Sequence, residues 1–119
     1  MLDFLNSPIA RTGAFQEADE ALKKGTGPIQ VSGAVESLKA YMMVKAGSSD
    51  SRLLVSYDEG TARRLFEDYR QFDRNVSFFP SKDLLFYEAD ARSNVIVKER
   101  LKALRGLFTG ECKNVVTTF

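Results

Sequence analysis

The stretch RLLVSYDEGTARRLFEDYRQFDRNVSFF, residues 52–79, decides the fold. Arg52–Tyr57 is a short apolar run of strand length. Asp58 then stands where a helix takes its capping carboxylate. Residues 59–72 put Ala62, Leu65, Phe66, Tyr69 and Phe72 on one face at helical spacing. Asp73-Arg74-Asn75 is a turn cluster, and Val76–Phe79 is a second strand-length run stopped by Pro80. Strand, helix, strand at these lengths is the unit from which parallel sheets are built.

The same grammar extends in both directions. Upstream, the pattern predicts a helix over 14–24 that ends in Lys23-Lys24-Gly25, a strand over Pro28–Gly33, and a helix over 34–46 with Val35, Leu38 and Met42 on one face. Downstream, residues 81–92 are irregular with a brief strand or turn at Leu84–Tyr87. Ser93 or Asn94 can cap a long helix to about Thr109, with Val97, Leu101, Leu104 and Phe108 on one face, and Asn114–Phe119 is a closing strand. The expectation is an α/β domain of three layers, a mainly parallel sheet with helices on both faces. Its organisation is a leading helical segment over 1–27 and the α/β domain over 28–119. Because the last strand leads nowhere, the chain is expected to be a fragment of a longer protein.

Composition limits the chemistry. A chain of 119 residues is one domain's worth, with 44% hydrophobic and 28% charged residues, as in ordinary globular proteins. It contains no histidine, so imidazole-dependent triads and histidine-ligated zinc are excluded within it. Its single cysteine, Cys112, excludes an internal disulfide and a multi-cysteine metal site. The formal charge of +1 gives no bulk attraction to nucleic acid or to a membrane surface. No apolar run is long enough to span a bilayer and no signal pattern opens the chain, so a cytoplasmic location with no membrane partner is expected.

The most informative candidate site is Val31-Ser-Gly-Ala-Val-Glu-Ser-Leu-Lys-Ala40 at the first expected strand–helix junction. A phosphate loop reads Gly, four residues, Gly, Lys, then Ser or Thr. Gly33 and Lys39 match the first glycine and the lysine. Leu38 and Ala40 replace the second glycine and the hydroxyl, which removes close backbone approach and the Mg²⁺ ligand together. Glu36 adds negative charge where a triphosphate would sit. A plain βα turn and a vestigial phosphate loop both fit this pattern, and neither holds a cofactor or a metal.

Other groupings are less specific. The aromatics of Phe78–Glu88 suit either base stacking or packing at the sheet edge, and packing is expected. Asp58-Glu59 suits a helix start better than acid–base chemistry. Glu88 with Asp90 is a further carboxylate grouping, and Cys112 beside Lys113 is expected to be inert. Arg63, Arg64, Arg70, Arg100 and Arg105, spread over two helices, are expected to form a solvated or partner-contacting surface.

Residues 28–119 resemble a known family. The resemblance rests on the decayed phosphate loop, on Leu53–Glu59, on Phe79-Pro80, Asp83, Leu85 and Tyr87-Glu88, on Glu99-Arg-Leu101, and on the strand Val115–Thr118. Together they resemble the N-terminal region of the bacterial transcription-repair coupling factor (Mfd) family, which is similar to the first nucleotide-binding lobe of the excision-repair helicase UvrB. Phe86 departs from the proline usual before that tyrosine. The resemblance implies a P-loop NTPase-like lobe that does not hydrolyse ATP. It would serve as a scaffold in nucleotide-excision DNA repair, within a full-length ATP-dependent DNA translocase whose motor lies elsewhere. The implied partners are the rest of the same polypeptide, UvrA mainly through an adjacent domain, and RNA polymerase and DNA through other domains. Two alternatives are a true ATP-binding helicase lobe and a free-standing small α/β interaction domain.

Overall fold

The computed structural model describes residues 9, 11–47, 51–81 and 90–119, without the side chains of 90–93. The chain divides into two compact units, residues 1–49 and 50–119. The expected division between residues 27 and 28 therefore falls inside the first unit.

In the first unit, α1 (Gly13–Lys24) ends where Gly25 turns to φ 64°, a left-handed geometry that glycine adopts without a Cβ penalty. The Gly25 and Thr26 amides donate to the carbonyls of Leu22 and Ala21, closing the helix. Helix α2 (Glu36–Lys45) buries Ala40 and Tyr41. The two segments are tied by Asp19, whose carboxylate accepts from Lys23 and, at 2.7 Å, from the Gly47 amide. Those two interactions hold its pKa below 3.8.

The strand expected over Pro28–Gly33 is not formed. Pro28 brings no amide to a ladder, and Gly27 and Gly33 take φ of 129° and 78°, which breaks the extended run at both ends. Val31 is left 53% exposed. Local apolarity made the segment resemble a strand, but a strand exists only where a neighbour pairs with it.

The second unit holds the sheet. Strand β1 (Arg52–Ser56) leads through α3 (Glu59–Phe72) to β2 (Val76–Phe79), which leads through α4 (Asp90–Thr109) to β3 (Asn114–Thr118). The strand order is β1-β3-β2, and both pairings are parallel. The first crossover passes over β3 and the second returns toward it. Right-handed crossovers run in opposite directions place their helices on opposite faces.

Leu54, Val116 and Phe78 share a register row and one face. Helix α3 covers that face with buried Ala62 and Tyr69, and its Phe66 ring lies 5.7 Å from that of Phe78. The N-terminus of α3 is capped as expected, with the Asp58 carboxylate accepting from the Thr61 amide at 2.8 Å.

Helix α4 packs against the other face, but not through the expected residues. Val97, Leu101, Leu104 and Phe108 are 49%, 60%, 51% and 94% exposed. The buried positions are Ala103 and Gly106. Small residues bring the helix backbone close to β2 and Cys112, and that close packing turns the bulky stripe outward. Ser93 and Asn94, expected as caps, lie inside the helix. The expected turn at Leu84–Tyr87 and most of the Phe78–Glu88 loop lie outside the described residues.

Candidate functional site

The candidate phosphate loop lies wholly in the first unit. Gly33 sits in a bend with φ 78°, and nothing stands within 4 Å of where its Cβ would be. Glu36 is the first residue of α2, and the extended Val35 before it makes no side-chain cap. The Lys39 amide donates to the Val35 carbonyl at 3.0 Å, and Gly33, Glu36 and Lys39 are all exposed. With no strand ahead of it, this segment lacks the rigid carboxyl end of a sheet that presents a phosphate loop's amides. Beside it is an apolar groove of about 580 Å³ between α1 and α2, lined by Phe15, Ala18, Ile29, Val31, Leu38 and Met42. Gly33 borders this groove, and Lys39 does not.

One polar network of the second unit gathers at the carboxyl end of its sheet. Arg63 on α3 reaches Glu59 Oε1 at 2.9 Å and Glu99 Oε2 of α4 at 3.2 Å. Its guanidinium carbon stands 4.5 Å from the centre of the Phe78 ring. Partial burial acts to lower the Arg63 pKa, but hydrogen bonds to Glu99 and Glu59 outweigh it and the net shift is upward. The Ser81 hydroxyl donates to Glu59 Oε2 at 3.1 Å. Arg100 donates to the Pro80 carbonyl at 2.8 Å and lies 4.1 Å from the Phe79 ring centre. These bonds join α3, α4 and the end of β2 around fully buried Pro80.

The arginines expected to form one surface are thus divided by their environments. Arg63 and Arg100 serve this internal network. Arg64 donates to the Thr61 hydroxyl, and Arg70 pairs with Glu67 at 3.6 Å and lies over Phe66. Arg105 is exposed on α4. Phe78 packs inward at 7% exposure, as expected for that aromatic.

At the amino end of the sheet the Asn114 side-chain amide donates to Asp73 Oδ2 at 2.9 Å, and Asp73 Oδ1 accepts from the Asn75 amide. The Cys112 thiol donates to the Asn114 carbonyl and is buried. Sequence reasoning did not single out Asn114 or Glu99 for these contacts. Their partners lie 41 and 36 residues away, and no local pattern marks such pairs.

Among the described residues, no group of three or more histidine, cysteine, aspartate or glutamate side chains could hold a metal. No described helix is long and apolar enough to cross a membrane. The fold defines an α/β protein with a three-stranded parallel sheet, flanked on both faces. No family model matches the chain, and no curated protein or solved structure matches it.

Proposed function

We propose that this chain is a non-catalytic scaffold module of the transcription-repair coupling kind, a UvrB-like lobe that helps recruit excision-repair proteins to stalled RNA polymerase. The observation that carries the reading is the contact between two parts of the resemblance. Arg100, from Glu99-Arg-Leu101, holds both the ring of Phe79 and the carbonyl of Pro80. Residues far apart in sequence that carry the resemblance are thus joined in one structural unit.

The non-catalytic part of the reading is supported by Gly33, Glu36 and Lys39, which lie on no strand–loop–helix junction. A phosphate cradle needs convergent backbone amides and a hydroxyl for Mg²⁺, and Ala40 supplies no hydroxyl. In this role the lobe acts as part of a larger polypeptide, with UvrA contacted mainly through an adjacent domain.

Two measurements test the proposal. Titration with a fluorescent ATP analogue should show no specific binding and no change on Lys39→Ala. In the source organism, deletion of the sequence encoding residues 28–119 should abolish preferential repair of the transcribed strand. ATP turnover lost on Lys39→Ala, or strand-specific repair untouched by the deletion, would overturn it.

A further inference from the structure

The sheet of the second unit ends on β2. In the order β1-β3-β2 this strand pairs with β3 on one side, and no described strand pairs with its other side. Which backbone groups face outward follows from the ladder. The Asn114 amide donates to the Asn75 carbonyl, and Asn114 stands opposite Val76. In a parallel pair that pattern turns the backbone groups of residues 75, 77 and 79 toward the neighbour and those of 76 and 78 away. The N–H and C=O of Val76 therefore point out of the sheet edge.

A groove of about 750 Å³ opens over this edge. Phe66 and Arg70 of α3, Val76 of β2, and Lys102 and Gly106 of α4 line it together. The two helices lie on opposite faces of the sheet, since α3 meets the Phe78 ring and α4 meets Phe79 and Ser77. They can share a groove only past the margin of the sheet. Phe66 and Lys102 sit about two turns before the ends of their helices, so the groove rises along the side of β2 rather than lying below the strands. Nearer the carboxyl end of β2 the Arg63–Glu99 pair joins the helices and bounds the groove, which leaves Val76 as the pairing position.

The walls carry charge. Arg70 is taken by Glu67 at 3.6 Å. Arg74 and Lys102 join no ion pair among the described residues, and they face the groove with the carboxylate of Glu111. The excess is positive. Because a helix flanks the edge on each face, a second copy of this sheet would meet it wall against wall, with like charges opposed. A single extended chain fits between the walls, and carboxylates on it would answer Arg74 and Lys102.

We propose that the edge of β2 is a docking site for an extended acidic segment of a partner protein, which adds to the sheet as a further strand. Main-chain hydrogen bonds to Val76 set its register, and Arg74 and Lys102 select its charge. The inference stands apart from the coupling-factor reading, because it depends neither on the phosphate-loop segment nor on a repair partner.

The probe is a fluorescent hexapeptide of alternating valine and glutamate, titrated against the whole chain by anisotropy. Saturable binding is expected, and none by the hexapeptide with lysine in place of glutamate. Arg74→Glu with Lys102→Glu should weaken binding about tenfold, the worth of two exposed ion pairs reversed. Both positions are exposed, and an unchanged circular dichroism melt shows that the variant folds. A glutamate probe methylated on its backbone nitrogens keeps its charge, loses its donors and should not bind. Amide exchange followed by NMR should slow at Val76 on addition of the unmethylated probe and stay unchanged at Ser77, whose amide faces β3. No binding at millimolar chain, equal binding of the lysine or methylated probe, or no slowing at Val76 overturns the proposal. So does sedimentation showing the chain alone as a dimer with Val76 already protected, because the edge would then belong to a second copy.

Discussion

Gly106 of α4 rests against Cys112: a β-carbon at position 106 would stand 3.0 Å from the Cys112 β-carbon and 3.7 Å from the Ser77 hydroxyl. The contact fixes how closely the helix approaches the sheet, and so which of its faces is buried. Gly106→Val should push the helix off β2 and destabilise the second unit by roughly 1–3 kcal/mol, the usual cost of overpacking. Phe108→Ser, at an outward position 94% exposed, should stay within about 0.5 kcal/mol of the parent. Urea unfolding of both variants checks the contrast, and an unaffected Gly106→Val would remove the close-approach argument.

Tyr69 is the largest fully buried side chain of the unit, at 0% exposure, and it lies between α3 and the sheet. Burial raises its pKa, with Asp73 adding to the shift and Arg52 opposing it. Tyr69→Ala should cost about 3–5 kcal/mol, as for other large aromatic truncations in a core. Thermal melts followed by circular dichroism would show most of the cooperative transition lost.

The Asp73–Asn114 hydrogen bond joins the end of α3 to the central strand. Asp73→Ala leaves the 2%-exposed Asn114 amide without its acceptor, and should destabilise by about 1–3 kcal/mol. Asp73→Asn can still offer a carbonyl oxygen and should recover part of the loss. Equal destabilisation by the two variants would show that the bond itself contributes little.

Acid should remove the help that Asp58 gives to α3. Hydrogen bonds from the Thr61 side chain and backbone hold its carboxyl below the ordinary 3.8. A folded-state pKa depressed in this way contributes stability that is fully present above 3.8 and is lost as pH falls through the lower folded value. The stability gap between the parent and Asp58→Ala should therefore be constant near neutrality and narrow below pH 3.8. Chemical unfolding at neutral and strongly acidic pH measures it, and a gap that widens in acid would contradict the capping account.

Duplex DNA should bind weakly or not at all to this chain at physiological salt. The formal charge is +1, and Arg63 is already held by two carboxylates. Arg63→Ala should lower the melting temperature modestly, in keeping with a half-exposed ion pair, and leave any DNA signal unchanged. Tight, salt-sensitive binding that falls on Arg63→Ala with Arg64→Ala would contradict this.

The strand–helix–strand reading of residues 52–79 holds because each of its signals is local. Asp58 caps, Ala62 and Tyr69 recur at helical spacing, and Pro80 ends the strand. The same reasoning failed at 28–33, where the apolar run looked like a strand but no neighbour pairs with it. It also failed at α4, where hydrophobicity pointed to Val97, Leu101, Leu104 and Phe108, and the packed face runs through Ala103 and Gly106. The helix itself was legible. Which side it buries depends on how near another element can come, and that distance is not written in the helix's own period.

The sequence by itself determined the elements of the second unit, their parallel sense and the two faces of its sheet, because turn chemistry, caps and crossover handedness act over short stretches of chain. It also determined that Leu38 and Ala40 stand where a phosphate loop needs a glycine and a hydroxyl. Tertiary structure decided that β3 inserts between β1 and β2, and that Arg63 spends its charge on Glu59 and Glu99. It also left Leu53 and Val55 exposed on β1. Each of these is a relation between residues distant in sequence, fixed by which surfaces can approach closely enough to exclude water, a condition that no single segment carries.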